Sequence, residues 1–492
     1  MAEEAAEAAS SQSRLAWSAA AVATALCAAC VLHGIGDKSL WLDEGHNVLW
    51  AKLPWDRFVH VVTTREANMV LYSLLLRGWL PFADGSDAWI RAPSAFGVIA
   101  TVPFLFALGR GTIGTRAALA SAFLFATHPL VVRYGQEARS YGLLLLAVTV
   151  ATLALVRAVE GGRTRDWIAW SVSLAAAVYL HFFAAFVALA HALAVLSRGR
   201  SGVPWRPALT AGAATILLVL PLVAFLLAHE DNSASWVPLL SSDEILDFLL
   251  QFSGSAGGFG LAAAAIAWAL GAIALAAHAP RWIAVLLVSW AFLPAVLTAL
   301  ISLREPFFVP RYLLVSLPAL AMLAGASVAS LPRALGGTLL VCLLVANGRG
   351  LDRWWNHTVK DNWRESVAWI ADAAEPGDVL TCWPAVACGP VSVYFERLPE
   401  DSRPRFEAIT LDPTFALPSP LVPSRIEAVA REERIWLVSR PVGARKAHAR
   451  AGLEVVEKRL AATHARERIW SGHGVETALW VRRKSRDDHS DA

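Results

Sequence analysis

Eleven long apolar runs restrict what this chain can fold into. Each run approaches or passes the roughly 18 residues that a helix needs to cross a bilayer. Charged residues form only 17% of the sequence, against roughly 25% in soluble proteins. We therefore predict a polytopic α-helical membrane protein with about 11 transmembrane helices. The runs cover residues 15–32, 92–109, 117–133, 141–156, 167–180, 182–197, 208–228, 259–278, 282–302, 312–330 and 333–347.

The N-terminal run leaves two alternatives open. Residues 1–14 are rich in Ala, Glu and Ser, and we expect them to form a cytoplasmic tail. The run at 15–32 is either a cleaved signal peptide, which its Ala-rich end would suit, or an uncleaved first span. The stretch before it is acidic apart from Arg14, whereas signal peptides begin with a basic region. An uncleaved first span is the favoured interpretation.

Residues 34–91 form a long first loop with an apolar stretch of its own. Leu71–Pro81 is too short to cross a bilayer, so we expect a helix that lies in the membrane interface. Tryptophans favour that level of the bilayer. The alternative is a true span over residues 66–82, which would invert every later segment. The loop tryptophans are Trp41, Trp50, Trp55, Trp79 and Trp89.

The distribution of arginines predicts the orientation, because cytoplasmic loops are enriched in Lys and Arg. If residues 34–91 are extracytoplasmic, the short loops on the same side, at 134–140, 181, 229–258 and 303–311, hold only Arg139, Arg304 and Arg311. We expect a multi-pass protein of the plasma (inner) membrane, with the C-terminal part outside because the number of spans is odd. The opposite loops hold Arg110, Arg116, Arg157, Arg163, Arg165, Arg198, Arg200, Arg206, Arg281 and Arg333.

The composition changes near residue 350, which divides the predicted membrane domain, residues 15–349, from a predicted small α/β domain, residues 350–492. A helix over Asp361–Ala374 and a turn at Pro376–Asp378 open this domain. Cys382 and Cys388 are close enough in sequence to pair, although their spacing does not require it. The polar end from Lys484 is expected to be loose. The predicted strands are Val379–Trp383, Val391–Phe395, Ile435–Val438 and Ala478–Val481.

A pair of carboxylates, Asp43 and Glu44, follows the first apolar run, and Glu66 and Asn68 come later in the same loop. Ionisable groups beside membrane segments are costly and often functional. One interpretation makes Asp43 the chemical centre of the protein. The other is an ordinary solvated loop.

A second polar cluster spans residues 133–141. On a helix, Gln136 and Arg139 would share one face, and Glu137 and Tyr141 another. A Glu and an Arg this close can hold each other and leave the guanidinium aimed at an anion. The alternative is a helix N-terminus with a local salt bridge, worth about 0–1 kcal/mol.

Two further polar residues lie at the ends of apolar runs. His181 sits at a bend between two predicted spans, where a structural role is the favoured interpretation. Arg311 opens the run at 312–330. It can extend to water at the membrane surface, or its planar guanidinium can bind a phosphate there.

Together these clusters place carboxylates, arginines and a histidine on one predicted side of the membrane. This favours an enzyme that uses an anionic lipid. A transporter or flippase predicts ionisable groups near mid-membrane and repeat symmetry between halves, and the sequence shows neither. If the protein were a structural assembly subunit, a change of Asp43 would be harmless to any activity. The net charge of +3 gives no indication of nucleic-acid binding.

Five ordered motifs resemble the bacterial glycosyltransferase family 39-like membrane proteins, which are relatives of protein O-mannosyltransferases and of the aminoarabinose transferase of lipid A. The resemblance covers roughly residues 15–330, in the order of the family. Trp363-Arg364 and Pro376-Gly377-Asp378 resemble the tails of such proteins. The five motifs are Leu40-Trp41-Leu42-Asp43-Glu44, Asn68-Met69-Val70-Leu71-Tyr72, Arg91-Ala92-Pro93-Ser94, Gln136-Glu137-Ala138-Arg139-Ser140-Tyr141 and Pro310-Arg311-Tyr312-Leu313-Leu314.

The resemblance implies the GT-C fold and a polyprenyl-phosphate sugar donor, with mannose or a related sugar. The acceptor would be a lipid, a glycan or a protein, and transfer would invert the anomeric carbon. Asp43 maps onto the catalytic acidic residue of the family, which would act as the base. Glu44 is beside it, and Glu137 falls near the second acidic position of the family. Glu66 corresponds to a residue that some relatives use around a divalent metal cation, but its spacing differs and the metal stays undecided. The other implied residues are Arg139, Arg311 and Tyr141 for the donor phosphate, and Glu66, Asn68, Tyr72, Gln136, His181 and Tyr312 for the substrate.

Overall fold

The structure is a computed structural model that describes residues 2–64, 67–82, 85–199, 202–228, 237, 240–255, 257–400, 403–409, 421–440 and 447–483. The chain divides into two compact units that interleave in sequence. The helical unit comprises Met1–Ile35, Glu66–Tyr72 and Arg91–Thr358, and the tail unit comprises Gly36–Arg65, Ser73–Ile90 and Val359–Ala492. The predicted domains follow the order of the chain, whereas these units group most of the first loop with the tail.

Helices dominate the described residues up to position 358. Tighter 3-10 turns occur at Ala67–Met69, Leu80–Phe82 and Pro310–Ser316, and a π-helical turn at Arg353–His357. The helices are α1 (Ala2–Leu32), α2 (Leu42–Lys52), α3 (Trp55–Thr64), α4 (Val70–Trp79), α5 (Asp87–Thr112), α6 (Thr115–Ala126), α7 (Pro129–Gly135), α8 (Tyr141–Gly161), α9 (Thr164–Leu180), α10 (Ala184–Ser197), α11 (Trp205–Ala228), α12 (Ser242–Phe252), α13 (Gly258–His278), α14 (Arg281–Ser302), α15 (Leu317–Ser330) and α16 (Arg333–Asp352).

The helix lengths confirm a polytopic membrane protein. Among the described residues, 8 helices are long and apolar enough to cross a membrane, or 9 if α6 and α7 form one span across their 54° bend. The two other predicted runs lie on α9 and α10, which are helical but only 17 and 14 residues long. Helix α4 has 10 residues, about 15 Å, which is too short to cross a bilayer of about 30 Å.

The bend between α6 and α7 has a local cause. Pro129 occupies the first position of α7, where its missing N–H costs nothing. His128 Nδ1 accepts a hydrogen bond from the Leu130 N–H at 3.2 Å and caps the new helix. Helix α7 ends at Gly135 and α8 begins at Tyr141. The helical spacing considered for residues 136–141 is therefore wrong, because residues 136–140 form a turn.

Helices α5 and α8 meet at a contact between small residues. A Cβ atom on Gly142 would overlap the Ser94 carbonyl, and one on Gly97 would overlap the backbone of Gly142. Ser94 Oγ also donates to the Arg139 carbonyl oxygen at 2.6 Å. Backbones approach this closely only at residues without a side chain. The contact fixes the start of α8 against α5.

The tail of the chain forms a five-stranded mixed sheet with helices around it. The strand order is β2-β1-β3-β5-β4; β1 is parallel to β2 and β3, and β5 is antiparallel to β3 and β4. Buried Val379, Ile435, Leu437 and Trp480 belong to its core. The elements are α17 (Trp363–Ala371), β1 (Val379–Trp383), α18 (Cys388–Phe395), β2 (Arg405–Phe406), α19 (Pro423–Val429), β3 (Arg434–Ser439), α20 (Ala447–Ala461), β4 (His464–Gly472) and β5 (Val475–Arg482).

The predicted small α/β domain is confirmed, with one strand wrong. Val379–Trp383 is β1, and the predicted strands Ile435–Val438 and Ala478–Val481 lie within β3 and β5. Val391–Phe395 is instead the end of helix α18. A short, fully buried apolar run has no periodicity that distinguishes a strand from a helix. The predicted turn is present, with Gly377 at φ 98°, where glycine is favoured.

A buried carboxylate, Asp87, organises the tail unit. It pairs with Arg364 and with Arg397 at 2.8 Å, and it accepts a hydrogen bond from Tyr394 Oη at 2.6 Å. Burial, and then the charge of Asp87, raise the pKa of Tyr394, so its hydroxyl stays a donor. That hydroxyl also accepts the Leu40 N–H at 2.7 Å. The cluster therefore joins the tail to the segment that precedes α2.

Arg364 extends this connection along residues 36–38. Its guanidinium donates to the carbonyl oxygens of Gly36 at 2.8 Å and of Asp37 and Lys38 at 3.3 Å. Three carbonyls held by one guanidinium fix the path of this segment. Since α2 begins four residues after Lys38, the same contacts set where α2 starts.

A disulfide supports the surface on which α2 packs. Cys382 and Cys388 are bonded, with their Cα atoms 5.5 Å apart, which settles the alternative that their spacing left open. The bond joins the end of β1 to the first residue of α18. Helix α2 lies directly on this turn, because a Cβ atom on Gly45 would overlap the backbone of Pro390.

We predict that Gly142→Ala destabilises the protein, because the new methyl group would overlap the Ser94 carbonyl. Overpacking of this kind costs about 1–3 kcal/mol. The measurement is the thermal unfolding midpoint of the detergent-purified protein.

The matched control is Gly161→Ala in the same helix, where a Cβ atom meets nothing within 4 Å. Alanine is the better helix former there by about 0.5–1 kcal/mol, so stability should be equal or slightly higher. Equal midpoints for Gly142→Ala and the wild type would contradict the close contact.

Candidate active site

The first turn of α2 presents the two predicted carboxylates. Asp43 and Glu44 occupy its second and third positions, after Trp41 as the N-terminal cap. The positive end of the helix dipole stabilises anionic carboxylates at such positions. Asp43 is half-buried, whereas Glu44 is fully buried. Asp43 is thus the more accessible of the two.

Glu44 is engaged by contacts that hold the helix. Its Oε2 accepts the Trp41 N–H at 3.1 Å and pairs with Lys360 Nζ at 2.9 Å. The first contact satisfies a backbone donor that a helix start otherwise leaves open. The structure therefore gives Glu44 a positioning task, and its predicted catalytic role stays a prediction.

His46 is a buried titratable residue that the sequence analysis missed. It lies one helical turn after Asp43, so both side chains can share a face of α2. Its Nδ1 donates to the Leu42 carbonyl at 2.8 Å, and its ring lies against Gly389. The i, i+3 spacing from Asp43 was the signal available in the sequence.

In the helical unit, three turns bring together an arginine–tyrosine cluster, which consists of Arg139, Ser140, Tyr141, His181, Arg311 and Tyr312. The ring of His181 lies 4.7 Å from that of Tyr312 and 5.8 Å from that of Tyr141, between ring centroids. The guanidinium of Arg311 lies 5.5 Å from the centre of the Tyr312 ring. Residues far apart in sequence thus surround one buried region.

His181 is held in this cluster by Asn68. Asn68 Nδ2 lies 3.2 Å from His181 Nε2, and Asn68 Oδ1 accepts the Phe182 N–H at 3.2 Å. Burial lowers the pKa of His181, and the charges of Arg139 and Arg311 lower it further. The imidazole is therefore neutral, and the two arginines carry the positive charge of the cluster.

Two buried hydroxyls of the cluster have unused hydrogen-bonding capacity. Tyr141 Oη and Ser140 Oγ are inaccessible to solvent, and within the described part of the chain neither has a hydrogen-bond partner. A buried polar group without a partner costs about 1–3 kcal/mol. Two hydroxyl donors beside two guanidinium groups suit an anion with several oxygens, such as a phosphate.

The neighbouring residues Gln136 and Glu137 are tied into the helical unit. Gln136 Nε2 donates to the carbonyls of Val31 at 2.8 Å and His33 at 2.6 Å, and Oε1 accepts from Trp354 Nε1 at 2.6 Å. Glu137 is buried, and its Oε1 lies 3.5 Å from Arg133 Nε. Gln136 therefore has a structural task, and the substrate roles of both residues stay predictions.

Two of the remaining predicted residues lie in the first loop. Tyr72 is fully buried on α4. Glu66 lies outside the described residues. Within the described ranges, no group of three His, Cys, Asp or Glu side chains is arranged to hold a metal ion.

Residues 70–225 match a family model described as dolichyl-phosphate-mannose-protein mannosyltransferase. No curated protein matches the chain in sequence. The match to the family model covers less than half of the chain, so it leaves the first loop's carboxylates and the tail untested.

Solved structures extend the likeness over nearly the whole chain. ArnT from Cupriavidus metallidurans in the apo state superposes with a TM-score of 0.66 at 13% identity, over 96% of this chain and 98% of that one. ArnT bound to undecaprenyl phosphate gives 0.65 at 11% identity, over 93% and 97%. The oligosaccharyltransferase AglB from Archaeoglobus fulgidus, in complex with an inhibitory peptide and a dolichol-phosphate, gives 0.53 at 12% identity, over 95% and 74%. The chain is therefore a multi-pass membrane protein with the GT-C fold.

Proposed function

We propose that this protein is a glycosyltransferase that moves a sugar from a polyprenyl-phosphate donor to an acceptor hydroxyl. Asp43 is the general base, and the arginine–tyrosine cluster binds the donor phosphate. The sugar is mannose or a related sugar, and the acceptor is a lipid, a glycan or a protein. The reaction takes place on the extracytoplasmic side of the plasma membrane.

The observation that carries this proposal is the composition of the arginine–tyrosine cluster. The charges of Arg139 and Arg311 both lower the pKa of the buried His181, so its imidazole is neutral. Tyr141 Oη and Ser140 Oγ have no hydrogen-bond partner in the described part of the chain. A phosphate can accept hydrogen bonds from hydroxyl and guanidinium donors at once. A cluster that served packing alone would have no use for two such hydroxyls.

The comparisons support the same class of donor. One ArnT structure of this fold is bound to undecaprenyl phosphate, and the AglB structure holds a dolichol-phosphate. The family model that matches residues 70–225 is described by dolichyl-phosphate-mannose. Both lipids are polyprenyl phosphates, which is the chemistry that the arginine–tyrosine cluster would bind.

The proposed step is a single in-line displacement. The Asp43 carboxylate takes the proton of the acceptor hydroxyl, and the acceptor oxygen forms a bond to the anomeric carbon. The bond from that carbon to the phosphate oxygen breaks, and its electron pair leaves with the polyprenyl phosphate. The anomeric carbon gains oxocarbenium character on the way, as in glycoside chemistry. The leaving group needs charge stabilisation rather than a proton, and Arg139 and Arg311 supply it.

The other predicted residues have supporting roles in this proposal. Asn68 orients His181, and the ring of His181 sets the position of Tyr312. A neutral imidazole among aromatic rings can line the sugar without competing for the phosphate. Glu44 holds the first turn of α2. The roles of Glu66, Tyr72, Gln136 and Glu137 at the substrate stay predictions.

We predict that Asp43→Asn abolishes transfer while the protein stays folded, because the amide cannot take the acceptor proton. General base catalysis is worth roughly 10²–10⁴-fold in rate. The measurement is the consumption of labelled polyprenyl-phosphate sugars by purified protein in nanodiscs, with a membrane extract as the acceptor pool.

The matched control is Asp56→Asn, since Asp56 also lies in the first turn of a helix, α3, and is exposed. It should react at the wild-type rate. A normal rate for Asp43→Asn would remove Asp43 from the mechanism, and binding of every donor without consumption by the wild type would favour a transporter.

We predict that Tyr141→Phe weakens the binding of undecaprenyl phosphate roughly 10–100-fold, since a hydrogen bond to a charged group is worth about 1.5–3 kcal/mol. Its unfolding midpoint without lipid should be unchanged or higher, because the variant removes a buried hydroxyl that has no partner among the described residues. Binding is measured by native mass spectrometry with undecaprenyl phosphate as the probe.

Tyr179→Phe is the matched control for this test. The Tyr179 hydroxyl donates to the Leu218 carbonyl at 2.9 Å, so its loss should leave binding of the lipid unchanged. Unchanged binding by Tyr141→Phe would place the phosphate elsewhere.

A further inference from the structure

We infer that Lys360, a residue of the tail with no predicted role, is a positioning residue for Asp43. It acts through Glu44, which it pairs with in the first turn of α2. The inference rests on the proposed function, because it concerns the orientation of the proposed base. It assigns the tail a part in the reaction without any contact to the substrate.

The pair between Lys360 and Glu44 is buried and short. Lys360 Nζ lies 2.9 Å from Glu44 Oε2, and the side chains are 8% and 0% exposed. The same oxygen accepts the Trp41 N–H at 3.1 Å. One carboxylate oxygen thus joins the cap residue of α2 to the tail. Removal of one partner would take a compensating charge away from the other, which is buried.

Asp43 lies in the sequence between Trp41 and Glu44, which are joined by the hydrogen bond from the Trp41 N–H to Glu44 Oε2. Trp41 precedes it as the cap, and Glu44 follows it as the third residue of the helix. If the pair is lost, Glu44 loses its ion pair with the tail, and its Oε2 is held less firmly against the Trp41 N–H. The side chain of Asp43 would then sample more than one direction.

The remainder of α2 has anchors of its own, so the pair is not needed to hold the helix in place. Gly45 lies against the Pro390 backbone. Arg77 Nη1 donates to the carbonyl oxygens of Ala51 at 2.9 Å and Leu53 at 2.5 Å, at the other end of the helix. Loss of Lys360 should therefore disturb residues 41–44 and leave residues 45–52 ordered.

A second lysine provides the comparison. Lys52 Nζ, at the end of α2, lies 2.8 Å from Glu396 Oε2, and the two side chains are 43% and 46% exposed. This pair also joins α2 to the tail, and its N–O distance is nearly the same as that between Lys360 and Glu44. It is solvated and lies about two and a half turns from Asp43, since Lys52 is the last residue of the same 11-residue helix. Exposed pairs contribute little.

The test compares Lys360→Met, Glu44→Gln, the double variant and Lys52→Met in nanodiscs. We expect Lys360→Met to lower kcat for donor consumption roughly 10–100-fold, the usual effect of a misplaced catalytic group. Binding of undecaprenyl phosphate should stay at the wild-type level, since the proposal places the phosphate at the arginine–tyrosine cluster, to which Lys360 does not belong. The loss of kcat in the double variant should be no larger than in Lys360→Met, because both changes break the same ion pair. Lys52→Met should resemble the wild type.

A second measurement does not depend on activity. In hydrogen–deuterium exchange, Lys360→Met should speed exchange at residues 41–44, because the Trp41 N–H is bonded to the Glu44 oxygen that Lys360 holds. Residues 45–52 should exchange as in the wild type, since local ordering governs exchange. Unchanged exchange at residues 41–44 would overturn the inference. A wild-type kcat for Lys360→Met would also overturn it, as would losses in the two single variants that multiply in the double variant. A wild type that consumes no donor would refute the proposed function, and the exchange result would still decide whether Lys360 orders the first turn.

Discussion

The carboxylate of Asp87 is the interaction on which the tail unit depends. Its single negative charge, almost fully buried, is shared by Arg364 and Arg397 and by the hydroxyl of Tyr394. Buried charges are tolerated only when they are paired and hydrogen-bonded, and this one uses all three partners to bind distant segments together. Arg364 and Tyr394 also form hydrogen bonds to the backbone of residues 36–40 and hold that segment in place. The position of α2 follows from that chain of contacts.

Under the proposed function, this arrangement gives the tail a task, which is to hold the helix that carries Asp43. A carboxylate that acts as a base must be held in one orientation, and a loop of more than fifty residues has little to hold it by itself. The tail supplies the missing contacts through Arg364, through Lys360 and through the turn at Pro390. The arginine–tyrosine cluster needs no such support, because Arg139, His181 and Arg311 lie in turns between helices of one unit.

Much of the fold could be predicted from the sequence, because apolar runs report membrane helices directly. The eleven predicted runs lie on helices, although the run at 117–133 is interrupted between α6 and α7, and α9 and α10 are shorter than the other spans. The error at Val391–Phe395 has a physical origin, since a short buried run lacks the periodicity that identifies a strand. The spacing argument at residues 136–141 failed because Pro129 starts a new helix that ends at Gly135.

The candidate site was only partly predictable, for a different reason. Arg139, Tyr141, His181 and Arg311 were recognisable because polar groups are rare beside membrane segments. The burial of the Tyr141 hydroxyl, the neutrality of His181 and the structural task of Gln136 depend on neighbours that are far away in the chain. Nothing in the sequence indicates a role for Lys360, because a lysine after an apolar segment is common. Its role depends on Glu44, which is far away in the chain.

The central claim is that the protein breaks the bond between a sugar and a polyprenyl phosphate and makes a glycosidic bond in its place. The most direct test is nuclear magnetic resonance of the products formed from a polyprenyl-phosphate sugar of known anomeric configuration, with wild-type protein in nanodiscs and a membrane extract as acceptor. The account predicts free polyprenyl phosphate and a glycoside of the opposite configuration. A product that retains the configuration would contradict the single displacement, and a donor that stays intact would contradict the claim itself.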